Sequence, residues 1–482
     1  MKKYLSSNSQ KEKINAKYVW DSEPFKTALM KSQTLLSEKI FLFLLLTLFF
    51  LNACKKEEDT VGYTEPFTTK SFNPERYDSY VIDTWYKLML KLTIETPGHT
   101  PPIAARNFGY AGVALYESLV EGMHPGHQSL AGQLNALTAV PERDHGNSYA
   151  PPVIANAALA RIVRNLFANT SSANVTRIDS LEAANEAMYS SQFNVHIINR
   201  SRDYGHAMAD AIFSWSTTDG GFEAYLHNFP SNYVPPAGDG LWVSTPPAFQ
   251  SAMLPYWGNN RPMVSTNLPG PIDPPAAPAF SADINSSFYN YANQVYTTVN
   301  NLTPEQQAIA IYWADGGGTF TPPGHNIAIV LQIIRNMNFD LGNAAILLAK
   351  TGIAENDAGI ICWRAKFSTN LLRPVTYIHN YIDANWLPFI ATPPFPSYTS
   401  GHSTFSGAAA KILTSELGEN FSFTDSTKIP YGFSTRSFTS FEAAAQEAAI
   451  SRLYGGIHYS FDNENGFHCG ELVAANVENL HW

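Results

Sequence analysis

Phe395-Pro396-Ser397-Tyr398-Thr399-Ser400-Gly401-His402 leads into Thr404 to Leu417, an apolar, helix-forming run that stops before Gly418. This order predicts a helix whose N-terminus carries Ser400, Gly401 and His402. Free N–H groups and the helix dipole at that end favour an anion. Gly401 lets the backbone come close to a ligand, and the Ser400 hydroxyl adds a donor. Taken alone, the stretch reads equally well as an N-cap serine followed by a surface histidine.

The flanking sequence shifts that balance. Upstream, Lys366-Phe367-Ser368-Thr369-Asn370-Leu371-Leu372-Arg373-Pro374 places two cations seven residues apart. On one helix that spacing puts both on the same face. Two helices are predicted here, Asn343 to about Lys350 and Asn356 to Leu372, the second stopped by Pro374. Downstream, Thr439 to Glu442 reads as a capping box for a helix that runs to about Tyr454 and ends at Gly455-Gly456. Arg452 falls in its last turn and His458 on the loop beyond. Asp462 follows at a spacing that lets a carboxylate hold the second ring nitrogen of His458. Three cations, a Ser-Gly helix start and two histidines form the inventory needed to hold a tetrahedral oxyanion.

The rest of the 482-residue chain reads as scaffold and address. Hydrophobic residues make up 45% and charged residues 15%, so a large core is available and disorder is excluded. A formal charge of -10 argues against nucleic acid as a partner. Helical periodicity dominates from Arg76, with segments at 104–119, 155–168, 180–190 and 201–216, and strand-like alternation is scarce. The predicted class is all-α, with an N-terminal helical lobe over 76–229 and a C-terminal lobe over 287–482 that carries the chemistry. Residues 230–286, rich in Pro, Gly, Ser and Asn, are taken as the connecting seam between the lobes. Thr303-Pro304-Glu305-Gln306 reads as a capping box with proline at the first helical position. The following loop, Trp313 to His325, brings Asp315 and His325 close together.

Ile40 to Leu51 is a 12-residue uncharged apolar run, too short to span a bilayer but suited to a signal-peptide core. Leu51-Asn52-Ala53-Cys54 after it resembles the lipobox of bacterial lipoproteins, which makes Cys54 the expected lipidated residue. Lys55-Lys56-Glu57-Glu58-Asp59 is similar to the charged sorting signal of surface lipoproteins. Residues 1–53 are therefore read as an N-terminal extension and signal peptide, with translation expected from Met30, and 54–75 as a polar tether. The expected location is the cell envelope, on a lipid anchor in the outer membrane. The two other cysteines, Cys362 and Cys469, are expected as free buried thiols, because a chain of this size needs no staple.

The pattern Lys-x6-Arg-Pro, Ser-Gly-His and Ser-Arg-x5-His-x3-Asp resembles that of the superfamily uniting vanadium-dependent haloperoxidases with type 2 phosphatidic acid phosphatases. The resemblance implies vanadate as cofactor, and hydrogen peroxide, a halide and an organic acceptor as reactants. By the same resemblance Lys366, Arg373 and Arg452 would neutralise the oxyanion, with Ser400 and the Gly401 amide as further donors. His458 would bond the vanadium, His402 would be the acid-base group, and Lys366 would polarise bound peroxide. Trp363 and Phe395 match aromatic positions of the haloperoxidase site. Asp315 resembles an acid that supports the third-motif arginine, in a loop whose length differs from fungal members. His325, His379 and His468 match no role.

Two other readings share these residues. In a phosphatase, His458 oriented by Asp462 would be the nucleophile and His402 would protonate the leaving group. A surface lipoprotein that binds without turnover would need none of the reactive residues that are present. The length of the chain, the absence of lipid-phosphatase transmembrane segments from its sequence and the aromatic pair favour the peroxidase. The sequence leaves room for a homo-oligomer and does not set the halide.

Overall fold

The computed structural model describes residues 72–482. The expected signal peptide, lipobox and most of the tether lie outside the described residues. Of the tether, residues 72–75 are already packed: Asn73 caps a 3-10 turn at Pro74–Arg76, and the Phe72 ring sits edge-on to Tyr149.

Five helices come first: α1 (Tyr80–Glu95), α2 (Pro101–Leu119), α3 (Pro151–Leu166), α4 (Ser172–Tyr189) and α5 (Val195–Ser216). After the Pro/Gly-rich segment come α6 (Ser287–Asn300), α7 (Pro304–Tyr312), α8 (Thr321–Asn336), α9 (Leu341–Thr369), α10 (Pro374–Tyr381) and α11 (Gly401–Leu417). A hairpin of β1 (Phe423–Asp425) and β2 (Arg436–Phe438) precedes α12 (Phe441–Tyr454) and α13 (Ser460–Glu478). The class is all-α. The hairpin, pairing Phe423 with Phe438 and Asp425 with Arg436, is the sole sheet among the described residues. No helix among them is long and apolar enough to cross a membrane.

Local start signals act where side chains reach their own backbone. Thr303 and Gln306 close the capping box at α7 reciprocally. At α12 the cap is Ser440, one residue later than predicted, and the Ala443 amide donates to its hydroxyl. His325 lies inside α8 and not in the loop before it. The Pro322-Pro323 pair that reads as a loop occupies the first turn of that helix, where the missing N–H groups cost nothing.

α9 is one 29-residue helix where two are predicted. Gly352, in the gap left between the two, serves packing. A Cβ there would lie 2.7 Å from the Phe108 carbonyl oxygen, and one on Gly109 of α2 would lie 2.9 Å from the Gly352 carbonyl oxygen. The two helices thus touch backbone to backbone, which glycine alone permits. Asn370, in the left-handed region at φ 47°, ends α9. Arg373 follows as the N-cap residue of α10, extended as a residue before proline prefers. It therefore does not share a helix with Lys366, contrary to the seven-residue spacing.

Helices from both sides of the Pro/Gly-rich segment share one apolar core that runs from Val81 on α1 to Val477 on α13, while α6 and α10 pack in a second, smaller cluster with Tyr398, Tyr459 and Phe461. Residues 72–482 fall in a single compact unit, so the segment at 230–286 is not a seam between lobes. It wraps the second half of α9. The Trp242 amide donates to the Asn370 carbonyl at 2.6 Å, and the Met263 and Val264 amides donate to the Asp357 carboxylate at 2.7 and 2.9 Å. Tyr398, next to the predicted anion site, donates its hydroxyl to the Pro275 carbonyl of the same segment.

Candidate active site

Lys366 projects from the last turns of α9, Arg373 caps α10, and Arg452 sits in the last turn of α12, each at most 1% exposed. Their donors are spent chiefly on carbonyl oxygens. The Lys366 ammonium donates to Pro396 and Ser397, at 3.1 Å each, and to Thr399. Arg373 Nε donates to Phe395 and Nη1 to Ile457, both at 2.7 Å. Arg452 Nη2 donates to Ala310 at 3.2 Å, and its Nε to the Ser451 hydroxyl. None of the three forms an ion pair among the described residues. Burial accordingly pushes Lys366 down to about 7, Arg373 to about 9 and Arg452 to about 10. An anion placed among them would reverse that cost.

His458 lies on the loop between α12 and α13. Its Nδ1 is 2.9 Å from Asp462 Oδ2, which the Ser397 hydroxyl also contacts at 2.5 Å and the Tyr459 amide at 3.2 Å. Burial holds the His458 ring well below its usual value, with Arg373, Lys366, His402 and Arg452 adding to the effect in that order. The ring is therefore neutral. Its proton sits on Nδ1 toward the carboxylate, and the Nε2 lone pair faces the cations, with Arg373 Nη1 at 3.1 Å.

Ser400 caps α11, and its hydroxyl oxygen accepts from the Ser403 hydroxyl at 2.9 Å, so its own proton stays free to donate. The Ser400 amide donates to the Asp462 carbonyl at 2.9 Å, which ties the start of α11 to the start of α13. Gly401 faces Trp363, whose ring would lie 3.6 Å from a Cβ. Trp363 and Phe395 are 5.0 Å apart between ring centres. The Lys366 ammonium lies 4.8 Å and the Arg373 guanidinium 4.9 Å from the centre of Phe395. These aromatic faces hold the cations in place while keeping water off them.

His402 is the one member of the group that is not fully buried. Its ring lies beside the backbone at Ala314 and Trp313, and its Nε2 has no partner. Asp315 makes no ion pair with Arg452, although its charge favours the charged guanidinium. Its carboxylate binds Lys428 at 2.7 Å and His325 at 2.8 Å, and Arg452 turns to the Ala310 carbonyl instead. His325, His379 and His468 stand away from the anion-binding donors. His325 pairs with Asp315 and Asp425, His379 with the Trp386 carbonyl, and His468 with Glu471. Cys362 and Cys469 are free and buried.

The structure thus brings Lys366, Arg373, Ser400, Gly401, His402, Arg452 and His458 to one place, with Trp363, Phe395 and Asp462 as its walls and support. Ser397 was legible only as part of the quoted stretch. Nothing in its spacing pointed to Asp462, 65 residues away.

Three comparisons bear on this geometry. Residues 346–481 match the VCPO second helical-bundle domain. A stretch of 137 residues is 31% identical to the vanadium chloroperoxidase of Curvularia inaequalis, covering 23% of this chain and 22% of that protein, so the match spans about a fifth of the relative's length. The crystal structure of the first bacterial vanadium-dependent iodoperoxidase superposes with a TM-score of 0.77 at 34% identity, covering 88% of this chain and 99% of that one. The chain belongs to the vanadium-dependent haloperoxidase family. A holo-type bacterial vanadium-dependent chloroperoxidase, at 15% identity and a TM-score of 0.62, shares the fold.

Membership in the vanadium-dependent haloperoxidase family implies vanadate, and the residues present fit it. Arg373 Nη2 and His402 Nε2 are buried polar atoms without partners. Such atoms are costly unless a ligand meets them. Among the described residues no group of three or more His, Cys, Asp or Glu could hold a bare metal ion. A donor set of cations, one hydroxyl and one neutral imidazole instead suits a metal carried as an oxyanion.

Proposed function

We propose that the protein oxidises halide with hydrogen peroxide, using vanadate held by His458, Lys366, Arg373, Arg452, Ser400 and the Gly401 amide, and that iodide is its first substrate. The observation that carries this is three buried, unpaired cations around a neutral imidazole whose far nitrogen is fixed by Asp462. Iodide is favoured by the 34% identity to the iodoperoxidase over 99% of that chain. When bound, vanadate supplies a Lewis-acidic vanadium centre that makes hydrogen peroxide electrophilic toward halide. The protein's own part is electrostatic and positional. His458 would bond the vanadium through Nε2, and Asp462, at Nδ1, holds the ring in that orientation. Lys366, Arg373 and Arg452 balance negative charge in a site closed to water. His402 Nε2, buried and without a protein partner, takes and returns the protons of peroxide and of the product.

The same His458–Asp462 pair would also serve a phosphatase as an oriented nucleophile. One preparation assayed both ways separates the two. Apo-protein given orthovanadate should gain peroxide-dependent triiodide formation that inorganic phosphate suppresses by competition. Hydrolysis of p-nitrophenyl phosphate without any vanadate-dependent iodide oxidation would reject the peroxidase.

We propose further that the protein is a lipoprotein of the cell envelope, anchored in the outer membrane through Cys54. The support is sequence alone: the 12-residue apolar run, Leu51-Asn52-Ala53-Cys54 and the charges at 55–59. The native chain should partition into the detergent phase of Triton X-114 and Cys54→Ala into the aqueous phase. Equal partitioning of the two would dismiss the anchor.

A further inference from the structure

Beside the proposed vanadate site lies a second group of buried charges that the reaction does not use. Asp315, His325, Asp425 and Lys428 are each at most 4% exposed. They come from four places: the turn after α7, the first turns of α8, β1, and the loop after β1. His325 Nδ1 is 2.8 Å from Asp315 Oδ2, and Nε2 is 2.9 Å from Asp425 Oδ2. Both ring nitrogens thus face carboxylate oxygens. A neutral imidazole would press a lone pair against one of them, so the arrangement calls for imidazolium. Charge counting agrees. Two carboxylates against Lys428 and a protonated His325 sum to zero, whereas a neutral ring leaves one unbalanced negative charge in the core.

The other neighbours of His325 add no charge. Trp313 stacks on its ring at 4.7 Å, Phe320 and Tyr312 close two further sides, and the Tyr312 hydroxyl donates to Asp425 at 2.6 Å. Lys428 contacts Asp315 at 2.7 Å and the Tyr312 carbonyl at 2.5 Å. All of these contacts except that of Phe320 grip the short segment Tyr312 to Asp315, where Asp315 is held in the left-handed region at φ 40°. A non-glycine residue stays there only if its surroundings fix it.

The same stretch of backbone, from Ala310 onward, also meets the active site. Arg452 Nη2 donates to the Ala310 carbonyl, at the end of α7. The ring of His402 lies beside the backbone at Ala314 and Trp313. Two active-site groups therefore lean on backbone whose position the buried charges set.

We infer that His325, held as an imidazolium between Asp315 and Asp425, is a positioning residue that fixes the 310–315 segment against Arg452 and His402. It stands where a direct carboxylate to Arg452 was expected from the sequence. Asp315 forms its ion pairs with Lys428 and His325 and reaches Arg452 and His402 by its charge alone, while the main chain supports Arg452 through the Ala310 carbonyl and lies beside the His402 ring. The inference rests on the proposed oxyanion site for its functional meaning, and on the bridged cluster alone for its geometry.

The test uses the full chain, His325→Gln, and a conservative partner, Asp425→Asn, whose amide oxygen can still accept from Nε2. Histidine-selective 15N NMR at pH 8 should show both ring nitrogens of His325 protonated in the wild-type chain. His325→Gln should move the ring signals of His402 and weaken orthovanadate binding, read by isothermal titration calorimetry, by roughly tenfold, as loss of an outer partner does. Asp425→Asn should keep affinity closer to wild type. An unprotonated nitrogen on wild-type His325 at pH 8 overturns the bridge. Unchanged His402 signals in His325→Gln overturn the positioning role, and so does unchanged affinity. A wild-type chain that binds no orthovanadate counts against the proposed function, while the His402 signals still decide the positioning. If His325→Gln does not fold, His325→Asn takes its place with the same reading: moved His402 ring signals support the inference, and unmoved signals reject it.

Discussion

His458 depends on what stands behind it as much as on what it faces. Asp462 Oδ2 accepts from the His458 ring, the Ser397 hydroxyl and the Tyr459 amide together, and burial still pushes this carboxyl up to about 6. His458→Ala should therefore abolish vanadate-dependent iodide oxidation with the far-ultraviolet circular dichroism unchanged. Retention of normal turnover would mean that the vanadium is bonded elsewhere. Ser397→Ala leaves the histidine and its carboxylate in place but removes one hydrogen bond that aims the carboxylate. Loss of a partner at that distance should weaken orthovanadate affinity by roughly 10- to 100-fold. Equilibrium dialysis giving the wild-type constant would show Ser397 to be a bystander. His458 and Asp462 were legible in the sequence because only three residues separate them, which brings both to one helix start. Ser397 was not, since hydrogen bonds between distant stretches leave no periodicity.

At the scale of elements, the site is set by how closely two helices approach. α11 and α13 lie against each other along Gly466 and Gly470. A Cβ on Gly466 would fall 2.9 Å from the Ser400 carbonyl oxygen, and one on Gly470 would collide with the Thr404 carbonyl. This contact holds the Ser400-Gly401-His402 turn against the loop that carries His458. Gly470→Ala should destabilise the protein by about 1–3 kcal/mol, the usual cost of overpacking. It should also lower orthovanadate affinity, because the α11 start moves with the helix. A urea midpoint equal to that of the wild type would show that the interface has room. The helices themselves were foreseen where caps and apolar spacing are local, as at α7 and α11. They were misread where a tertiary contact decides, as at Gly352, where a residue in the gap left between two predicted helices is the contact between α2 and α9.

Across the whole molecule, buried charge couples stability to pH. Burial opposes a charge on His325, but Asp315 and then Asp425 outweigh it and hold the ring up to about 9, above its ordinary 6.5. A raised value means that this contribution is complete below about pH 6.5 and is lost as pH rises through about 9. Burial would raise Asp315 and Asp425, yet His325 foremost holds both below the ordinary 3.8. Their contribution is complete above about pH 4 and is lost as pH falls further. The cluster therefore stabilises most between about pH 4 and 6.5. The difference in Tm between wild type and His325→Gln should be largest in that window and shrink as pH climbs past 9. A difference that stays constant from pH 5 to 10 would remove His325 from the account. At this scale the 230–286 segment also matters: by clamping α9 at Asp357 and Asn370, it fixes the end of the helix that delivers Lys366.

What the sequence determined by itself is the chemistry. Cations, hydroxyl, glycine and imidazoles at set spacings name the kind of ligand, and caps and apolar periodicity place most of the helices, because both are properties of neighbours along the chain. The tertiary structure decided which oxygens those cations hold while they wait for an anion. It also decided that Arg373 reaches the site from a separate helix, and that Asp315 binds His325 and Lys428 in place of Arg452. The reason is that each buried donor takes the acceptor that folding brings within about 3 Å, and folding selects that acceptor from the whole chain.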